Sequence, residues 1–474
     1  MTEIEIQKEY IKKVKELNKY KNLKYYILTM GCSLNENDSE KISGMLEEMN
    51  YVRTEDYTEA DFIVFNTCCI RENAEDRLFG KLGEMKKVKT ANNAIIAIGG
   101  CMMQEKHIVD KLKQSYPYVD IVFGTHTLHK LPQDVYETLT SKVKVEDILD
   151  IDGEIYEGVP IKRADNKKAY VTIMYGCNNF CTYCIVPYVR GRERSRNKED
   201  ILNEIKGLAL EGYEEVMLLG QNVNSYKCGD NYNFANLLTD VNKIDGIKKI
   251  RFISPHPKDF TDDVIDAIAN SEKVSKMLHL PLQSGSTNVL KAMNRKYSKE
   301  QYLELVDKIK NKIPNVTLTT DIIVGFPGET EEDFQDTLDV VNKVGFEQVF
   351  MFIYSRRKGT VADKMENQIP EDIKHERFSR LQKLVEEKIE EINDKYVGTI
   401  QNILIEGKSK TNENTLTGRT DSNKVVVIEA DEDYIGKTVD VKIIENCKWF
   451  LKGEIINGWI FTNDATLSCN KRRI

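Results

Sequence analysis

The chain has 474 residues, of which 41% are hydrophobic and 30% charged, and its formal net charge is -8. This composition is ordinary for a globular protein of several domains, and it excludes collagen-like and low-complexity chains. The acidic balance also excludes a general basic field for nucleic acids, so any contact with RNA has to rest on a local patch.

Ten cysteines stand out, because nothing else in the sequence indicates an oxidising compartment. The N-terminal segment lacks the apolar core of a secretory signal, and no stretch approaches the roughly 18 apolar residues of a membrane span. We therefore expect a cytoplasmic protein without membrane contact. In that compartment clustered thiols more often bind metal or take part in catalysis than form disulfides.

Residues 1–22 are charged and partly helical in pattern, and a repeated unit follows them. Three short apolar runs rich in β-forming residues are each followed closely by a cysteine; these are Cys32, Cys68 and Cys101, here called the strand-end trio. Helix-like stretches between the runs predict a doubly wound parallel sheet, in which the ligand-binding strand ends meet at one edge. The alternative is that each cysteine is only a small buried apolar residue. Cys69, next to Cys68, is predicted to point away as a bystander.

Residues 142–166 have the composition of a linker, and a second series of strands and helices begins near Lys168. Its predicted strands are 169–175, 215–220, 249–254, 277–281, 317–325 and 348–355. Six strand–helix units are fewer than the eight of a closed barrel, so we expect a partial, open barrel. An amphipathic helix over 370–396 closes this domain, and short alternating strands over 397–459 predict a small, OB-like β-barrel. The predicted α/β chain thus has three domains, 23–141, 163–396 and 397–460.

The strongest local signal is a C-x3-C-x2-C motif directly after the first strand of the second series. Its members, here called the loop trio, are Cys177, Cys181 and Cys184. Zinc and iron–sulfur clusters both use cysteine thiolates, but a structural zinc site is normally closed by four protein ligands. Because no fourth cysteine or histidine lies within the loop, the motif favours a four-iron, four-sulfur cluster with one open iron. The alternative is a set of buried thiols or a redox pair.

Four arginines alternate along the chain just after this loop: Arg190, Arg192, Arg194 and Arg196. In an extended strand they would all face one way and present a ladder of guanidinium groups to phosphate or carboxylate. Such a run of charged residues is usually no more than a solvent-exposed face of a strand or helix. Because this run adjoins the cysteine loop at the end of a predicted strand, we favour contact with an RNA backbone.

The loop trio, with Tyr183 before its last cysteine, resembles the signature of the radical S-adenosylmethionine (SAM) enzymes. Over about residues 24–460 the chain resembles the methylthiotransferases, which have an N-terminal three-cysteine domain, a radical SAM domain and a TRAM domain. The segments that carry the resemblance are Thr29–Cys32, Asn66–Ala74, Gly99–Gln104, Cys184–Arg196 and Pro281–Ser286. Arg71 and Gln283–Ser286 favour the branch that acts on isopentenyl-adenosine in tRNA, whereas Ser33, Leu34 and Cys69 depart from the common pattern.

The resemblance implies two [4Fe-4S] clusters, one on each trio. It implies insertion of sulfur at C2 of N6-dimethylallyladenosine beside the anticodon of tRNA, followed by methylation of that sulfur. Two SAM molecules would be used per product, one as methyl donor and one as radical source. The chemistry is thus assigned to clusters and SAM and not to a catalytic side chain. The implied partners are tRNA and an electron donor such as flavodoxin or ferredoxin, and we expect a monomer.

Glycines at predicted strand ends let a ligand approach the backbone closely. With Tyr183, the candidate SAM neighbours are Gly220, Gln221, Asn222, Gly325 and Phe326.

Two alternatives are kept. The first is a methylthiotransferase for another tRNA base, threonylcarbamoyladenosine, or for a ribosomal protein aspartate. The second is a non-catalytic iron–sulfur RNA-binding protein, which predicts closed clusters with four protein ligands each and no cleavage of SAM.

Overall fold

The computed structural model describes residues 1–69, 74–149, 153–409, 412 and 414–456. The chain divides into two compact units, residues 1–254 with 355–363, and residues 255–354 with 364–474. Arg71 and the last residues of the predicted third domain, 457–460, lie outside the described residues. No described helix is both long enough and apolar enough to span a membrane.

The N-terminal part of the first unit is a six-stranded parallel sheet with helices on both faces. Its strands are β1 (Leu23–Thr29), β2 (Tyr51–Arg53), β3 (Phe62–Thr67), β4 (Ile95–Gly100), β5 (Ile121–Phe123) and β6 (Val145–Asp147), in the order β2-β1-β3-β4-β5-β6. Its helices are α1 (Glu3–Leu17), α2 (Ser33–Glu48), α3 (Ala74–Asn92), α4 (Lys106–Ser115) and α5 (Leu131–Ser141). The predicted doubly wound parallel sheet is confirmed.

Strand β3 explains why this sheet is covered on both sides. Every one of its residues is buried, and alternate side chains enter two different hydrophobic clusters. Ile63 and Phe65 pack in one cluster, while Phe62 and Val64 pack in the other. A continuous apolar run of this kind is typical of a parallel strand buried by helices on both faces.

The rest of the first unit holds the loop trio and a second parallel sheet. Its strands are β7 (Lys168–Thr172), β8 (Met174–Tyr175), β9 (Arg194–Ser195), β10 (Glu215–Leu219) and β11 (Lys249–Phe252). Its helices are α6 (Val186–Val189), α7 (Lys198–Leu210) and α8 (Phe234–Asn242). The order β11-β10-β7 forms the sheet, and β8 pairs antiparallel with β9.

The second unit contains the other three strands of the predicted series and the C-terminal barrel. Its helices are α9 (Asp262–Ala269), α10 (Thr287–Ala292), α11 (Lys299–Lys312), α12 (Glu331–Val344) and α13 (Glu371–Asp394). Strands β12 (Met277–His279), β13 (Thr317–Val324) and β14 (Gln348–Ile353) form a parallel sheet. Thr330 caps the start of α12, because its hydroxyl accepts from the Asp333 N–H.

The C-terminal barrel is closed and has five strands. These are β15 (Ile400–Lys408), β16 (Leu416–Arg419), β17 (Val425–Ile428), β18 (Thr438–Asn446) and β19 (Leu451–Ile455). Its centre is filled by inward-pointing aliphatic residues such as Ile403, Val426 and Val441. The predicted small β-barrel is confirmed.

Candidate functional site

The strand-end trio lies where three neighbouring strands of the six-stranded sheet end. Thr67 at the end of β3 pairs with Gly100 at the end of β4, so Cys68 and Cys101 leave the sheet at the same level. Gly100 has φ of 98°, and a Cβ there would lie 2.4 Å from the Thr67 carbonyl oxygen. Only glycine permits this close approach of the two strand ends. The predicted convergence of strand ends therefore has a backbone cause.

Cys32 is joined to the other two strand ends by a buried amide network. Its thiol donates to Asn35 Oδ1 at 3.4 Å. The Asn35 amide donates to Asn66 Oδ1 at 3.2 Å and to the Thr67 carbonyl at 3.1 Å, while the Asn66 amide donates to the Asn35 carbonyl at 2.7 Å. Asn35 and Asn66 are fully buried, so each depends on these bonds for its polar groups. The network fixes the start of α2, and with it Cys32, against β3.

Cys69 is not the bystander that the sequence suggested. It is buried, and its thiol hydrogen-bonds to Cys101; this bond raises the pKa of Cys69 and lowers the pKa of Cys101 to about 6. The Arg190 guanidinium acts in the same direction, because its Nε donates to Cys101 Sγ at 3.1 Å. The lowered pKa favours the thiolate form of Cys101, which is the form that binds metal.

The closeness of Cys69 to Cys101 makes the choice of ligand testable. We expect Cys68→Ala to remove one cluster, about four irons per chain, because Cys68 directly follows β3 and leaves the sheet at the same level as Cys101. Cys69→Ala should keep those irons, since it removes hydrogen bonds to Cys101 and Glu105 but no proposed ligand. Iron and acid-labile sulfide analysis after anaerobic reconstitution measures both. The reverse pattern would assign the ligand role to Cys69.

The loop trio is held by the segment that follows it in the chain. The Cys177 N–H donates to the Gly191 carbonyl at 3.1 Å. The Asn178 N–H donates to Glu193 Oε1 at 3.1 Å, and the Glu193 N–H returns a bond to Asn178 Oδ1 at 3.3 Å. Burial raises the pKa of Cys177 to about 11, so the thiolate form depends on a bound cation.

Two of the candidate SAM neighbours bond to residues that flank this loop. Gln221 Oε1 accepts from the Gly176 N–H, and the Asn222 amide donates to Glu193 Oε1 at 3.1 Å. Gly220 is buried against Met174, and Tyr183 is half-buried within the loop itself. The end of β10 is therefore part of the same constellation as the loop trio.

The other two candidate SAM neighbours lie in the second unit. Gly325 has φ of 75° and its N–H donates to Glu329 Oε1 at 3.0 Å. Phe326 is fully buried and its ring meets that of Tyr354 edge to face at 5.5 Å. The turn at the end of β13 is thus rigidly built.

Three family models match separate parts of the chain. "Uncharacterized protein family UPF0004" matches residues 24–124, "Radical SAM superfamily" matches 171–341 and "TRAM domain" matches 394–456. The first match contains the strand-end trio and the second contains the loop trio.

Curated relatives match nearly the whole chain. A protein of Acetivibrio thermocellus is 52% identical over 459 residues, covering 95% of this chain and 96% of its own length. Proteins of Clostridium perfringens and Thermoanaerobacter pseudethanolicus are 54% and 51% identical, over 91% and 96% of this chain and 97% of each relative. All three are named tRNA-2-methylthio-N(6)-dimethylallyladenosine synthase. The chain belongs to this family. It is a radical SAM methylthiotransferase.

The fold also resembles that of a solved radical SAM protein. The radical S-adenosylmethionine methyltransferase TsrM from Kitasatospora setae, described with cobalamin and a [4Fe-4S] cluster bound, matches with a TM-score of 0.53 and 12% identity, over 80% of each chain. At this identity the likeness supports the fold alone.

The arginine run of this methylthiotransferase is not a one-sided ladder, and that expectation is wrong. Helix α6 ends just before the run, and Gly191 has φ of 74°, so the alternation of an extended strand is broken. Arg190 and Arg196 are buried; Arg196 is ion-paired with Glu157 and Glu204, and Arg190 is paired within the strand-end site.

The two remaining arginines of the run differ from each other. Arg194 is half-buried and donates to the backbone carbonyls of Gly153 and Arg190. Arg192 is exposed and lies over the Phe180 ring at 4.2 Å. Of the four predicted RNA contacts, Arg192 has the solvent exposure that such a contact requires.

The polar residues that organise the strand-end site were not predicted from the sequence. Asn35, Asp38 and Asn66 are at most 5% exposed. The sequence shows polar residues in the first two turns of α2, but only the structure shows that most of them are buried, which is unusual for a helix that covers a sheet. Their partners come from distant segments, so spacing alone could not have identified them.

Proposed function

We propose that this methylthiotransferase converts N6-dimethylallyladenosine, next to the anticodon of tRNA, into its 2-methylthio form. The observation that carries the proposal is that one compact unit holds both cysteine trios, one after the parallel strands β1, β3 and β4 and the other in the loop after β8. The names of the curated relatives support the same substrate.

The residues of both trios fit an iron–sulfur cluster better than a closed zinc site. Each trio offers three thiols, the ligand type of iron–sulfur clusters, and leaves a coordination position for another molecule. We assign one [4Fe-4S] cluster to Cys177, Cys181 and Cys184 and a second to the strand-end trio. When bound, clusters and SAM supply the radical chemistry that opens a C2–H bond, which has no acidic proton for a general base.

The chain's own share is to place and enclose the reactants. Glu193 and Gln221 fix the loop backbone through Asn178 and Gly176, so the loop trio is preorganised before a cofactor binds. Tyr183, Gly220, Asn222, Gly325 and Phe326 stay as proposed SAM neighbours on the strand ends.

For tRNA we retain Arg192 as the proposed contact of the arginine run. Its guanidinium is exposed and supported by the Phe180 ring, a surface on which a phosphate or an unstacked base can rest. We also propose that the protein is a cytoplasmic monomer and that flavodoxin or ferredoxin supplies its electrons. The domain bounds 23–141, 163–396 and 397–460 stay predictions.

Mass spectrometry of tRNA nucleosides tests the function. We expect cells that lack this protein to lose 2-methylthio-N6-dimethylallyladenosine and to accumulate the unthiolated nucleoside. Expression of the intact chain should restore the modified base. Expression of the loop-trio triple alanine variant should not, because the cluster that activates SAM would be missing.

The alternatives give different results in the same cells. If the threonylcarbamoyladenosine products or the ribosomal protein changed while dimethylallyladenosine stayed fully modified, the substrate assignment would be wrong. If no modification changed and the purified chain held closed clusters, the non-catalytic alternative would hold.

A further inference from the structure

Arg190 occupies an unusual place for an arginine, because it is buried beside a cysteine of the strand-end trio. Its side chain is 5% exposed. Nε donates to Cys101 Sγ at 3.1 Å, and one terminal nitrogen lies 2.8 Å from Asp38 Oδ2. Asp38 lies on α2, the helix that begins directly after Cys32. The guanidinium therefore touches one proposed ligand, Cys101, and the helix that begins directly after another, Cys32.

The backbone of Arg190 comes from the loop that carries the other trio. Cys184 is followed by α6, and the Arg190 N–H donates to the Val186 carbonyl at 2.8 Å. The Val189 carbonyl accepts from the Thr125 hydroxyl at 2.7 Å, which pins this segment to the N-terminal sheet region. One short segment thus leaves the loop trio and ends with its side chain in the strand-end site.

We infer that Arg190 is a positioning residue of the strand-end cluster, which orients Cys101 and makes the cluster easier to reduce. The inference rests on the proposed placement of a second cluster on Cys32, Cys68 and Cys101. Hydrogen bonds to cluster sulfurs and nearby charge set the reduction potential of iron–sulfur centres. A reduced cluster carries one more negative charge, so a buried cation 3.1 Å from a ligand sulfur stabilises that state.

Asp38 limits the effect of this cation. Its carboxylate holds the guanidinium in place and offsets part of the positive charge. Changes at the two residues should therefore move the potential in opposite directions. A merely structural role of the ion pair predicts no such opposition.

The test uses the full chain with Cys177→Ala, Cys181→Ala and Cys184→Ala, so that the strand-end cluster alone contributes. After anaerobic reconstitution, the potential is titrated by electron paramagnetic resonance. With Arg190→Gln we expect the reduced-to-oxidised ratio at a fixed potential to fall about tenfold, equivalent to ~59 mV for one electron. Asp38→Asn should shift the potential upward, and Arg190→Lys should keep part of the parent value.

Arg196→Gln is the matched control, because Arg196 is also buried and ion-paired but is bonded to carboxylates and a backbone carbonyl. It should leave the potential at the parent value. Equal potentials in parent, Arg190→Gln and Asp38→Asn would overturn the inference. If Arg190→Gln bound no iron, Asp38→Asn alone would test the inference. An upward shift of its potential would support the inference, and a downward shift would overturn it. If the parent itself bound no iron, the two-cluster proposal would fail instead.

Discussion

Replacing Cys177, Cys181 and Cys184 together with alanine is expected to lower the iron content from about eight to about four per chain and to abolish methylthiolation. The loop trio supplies all the protein ligands proposed for one cluster, and a thioether or backbone group does not replace a thiolate as ligand. The loop backbone should survive the change, because it is fixed by bonds to Gly191, Glu193 and Gln221.

The corresponding triple replacement of Cys32, Cys68 and Cys101 separates the two roles. It should also leave about four irons per chain, but this variant should still cleave SAM while producing no methylthio base. The loop-trio variant should do neither. Cleavage is measured as 5′-deoxyadenosine by chromatography, with dithionite as reductant.

Cys228→Ala is the control for both variants, since Cys228 is a half-buried cysteine of the same unit outside both trios. It should keep about eight irons and full activity. A loop-trio variant that still cleaved SAM, or a chain that bound zinc alone, would contradict the cluster assignment.

The strand-end trio could be predicted from the sequence because its cause is local. Each cysteine follows an apolar run long enough to be read as a strand, and parallel connection brings such ends to one edge. The three-residue strands β2, β5 and β6 could not be read in this way. They have too few residues for a periodic signal, and pairing with β1, β4 and β5 makes them strands.

The arginine run shows where local pattern fails. Alternation in sequence predicts a common face only if the backbone is extended throughout, and Gly191 breaks that condition with a positive φ. The partners of Arg190 and Arg196 include Asp38, Cys101 and Glu157, which come from elsewhere in the chain. Tertiary contacts therefore changed the predicted role of two residues.

Replacing Arg377 with methionine is expected to destabilise the second unit by about 2 kcal/mol at about pH 8.5, because it leaves a buried carboxylate without its cation. The side chains of Arg377 and Glu329 are 7% and 1% exposed, and their charged atoms lie 2.9 Å apart. Glu329 also accepts the Gly325 N–H at 3.0 Å. The variant should therefore weaken SAM binding if Gly325 and Phe326 contact SAM. Urea unfolding followed by circular dichroism, and equilibrium dialysis with SAM, measure the two effects.

Two further variants separate charge from packing. Arg380 lies on the same helix as Arg377 and forms an exposed ion pair with Glu331. Arg380→Met should lower the free energy of unfolding by no more than about 1 kcal/mol. Arg377→Met combined with Glu329→Gln should recover part of the stability, because no buried charge is left unpaired. A double variant as unstable as Arg377→Met would assign the loss to packing.

The loss of stability in Arg377→Met should also depend on pH. Burial raises the pKa of Glu329 to about 7, against the lowering effects of the Gly325 N–H and Arg377. Removing Arg377 raises this pKa further, so the carboxyl is protonated and uncharged in mildly acidic solution. The difference in unfolding free energy from the parent should be largest at about pH 8.5 and should shrink towards about pH 5.5. A pH-independent difference would mean that the unpaired charge of Glu329 does not cause the loss.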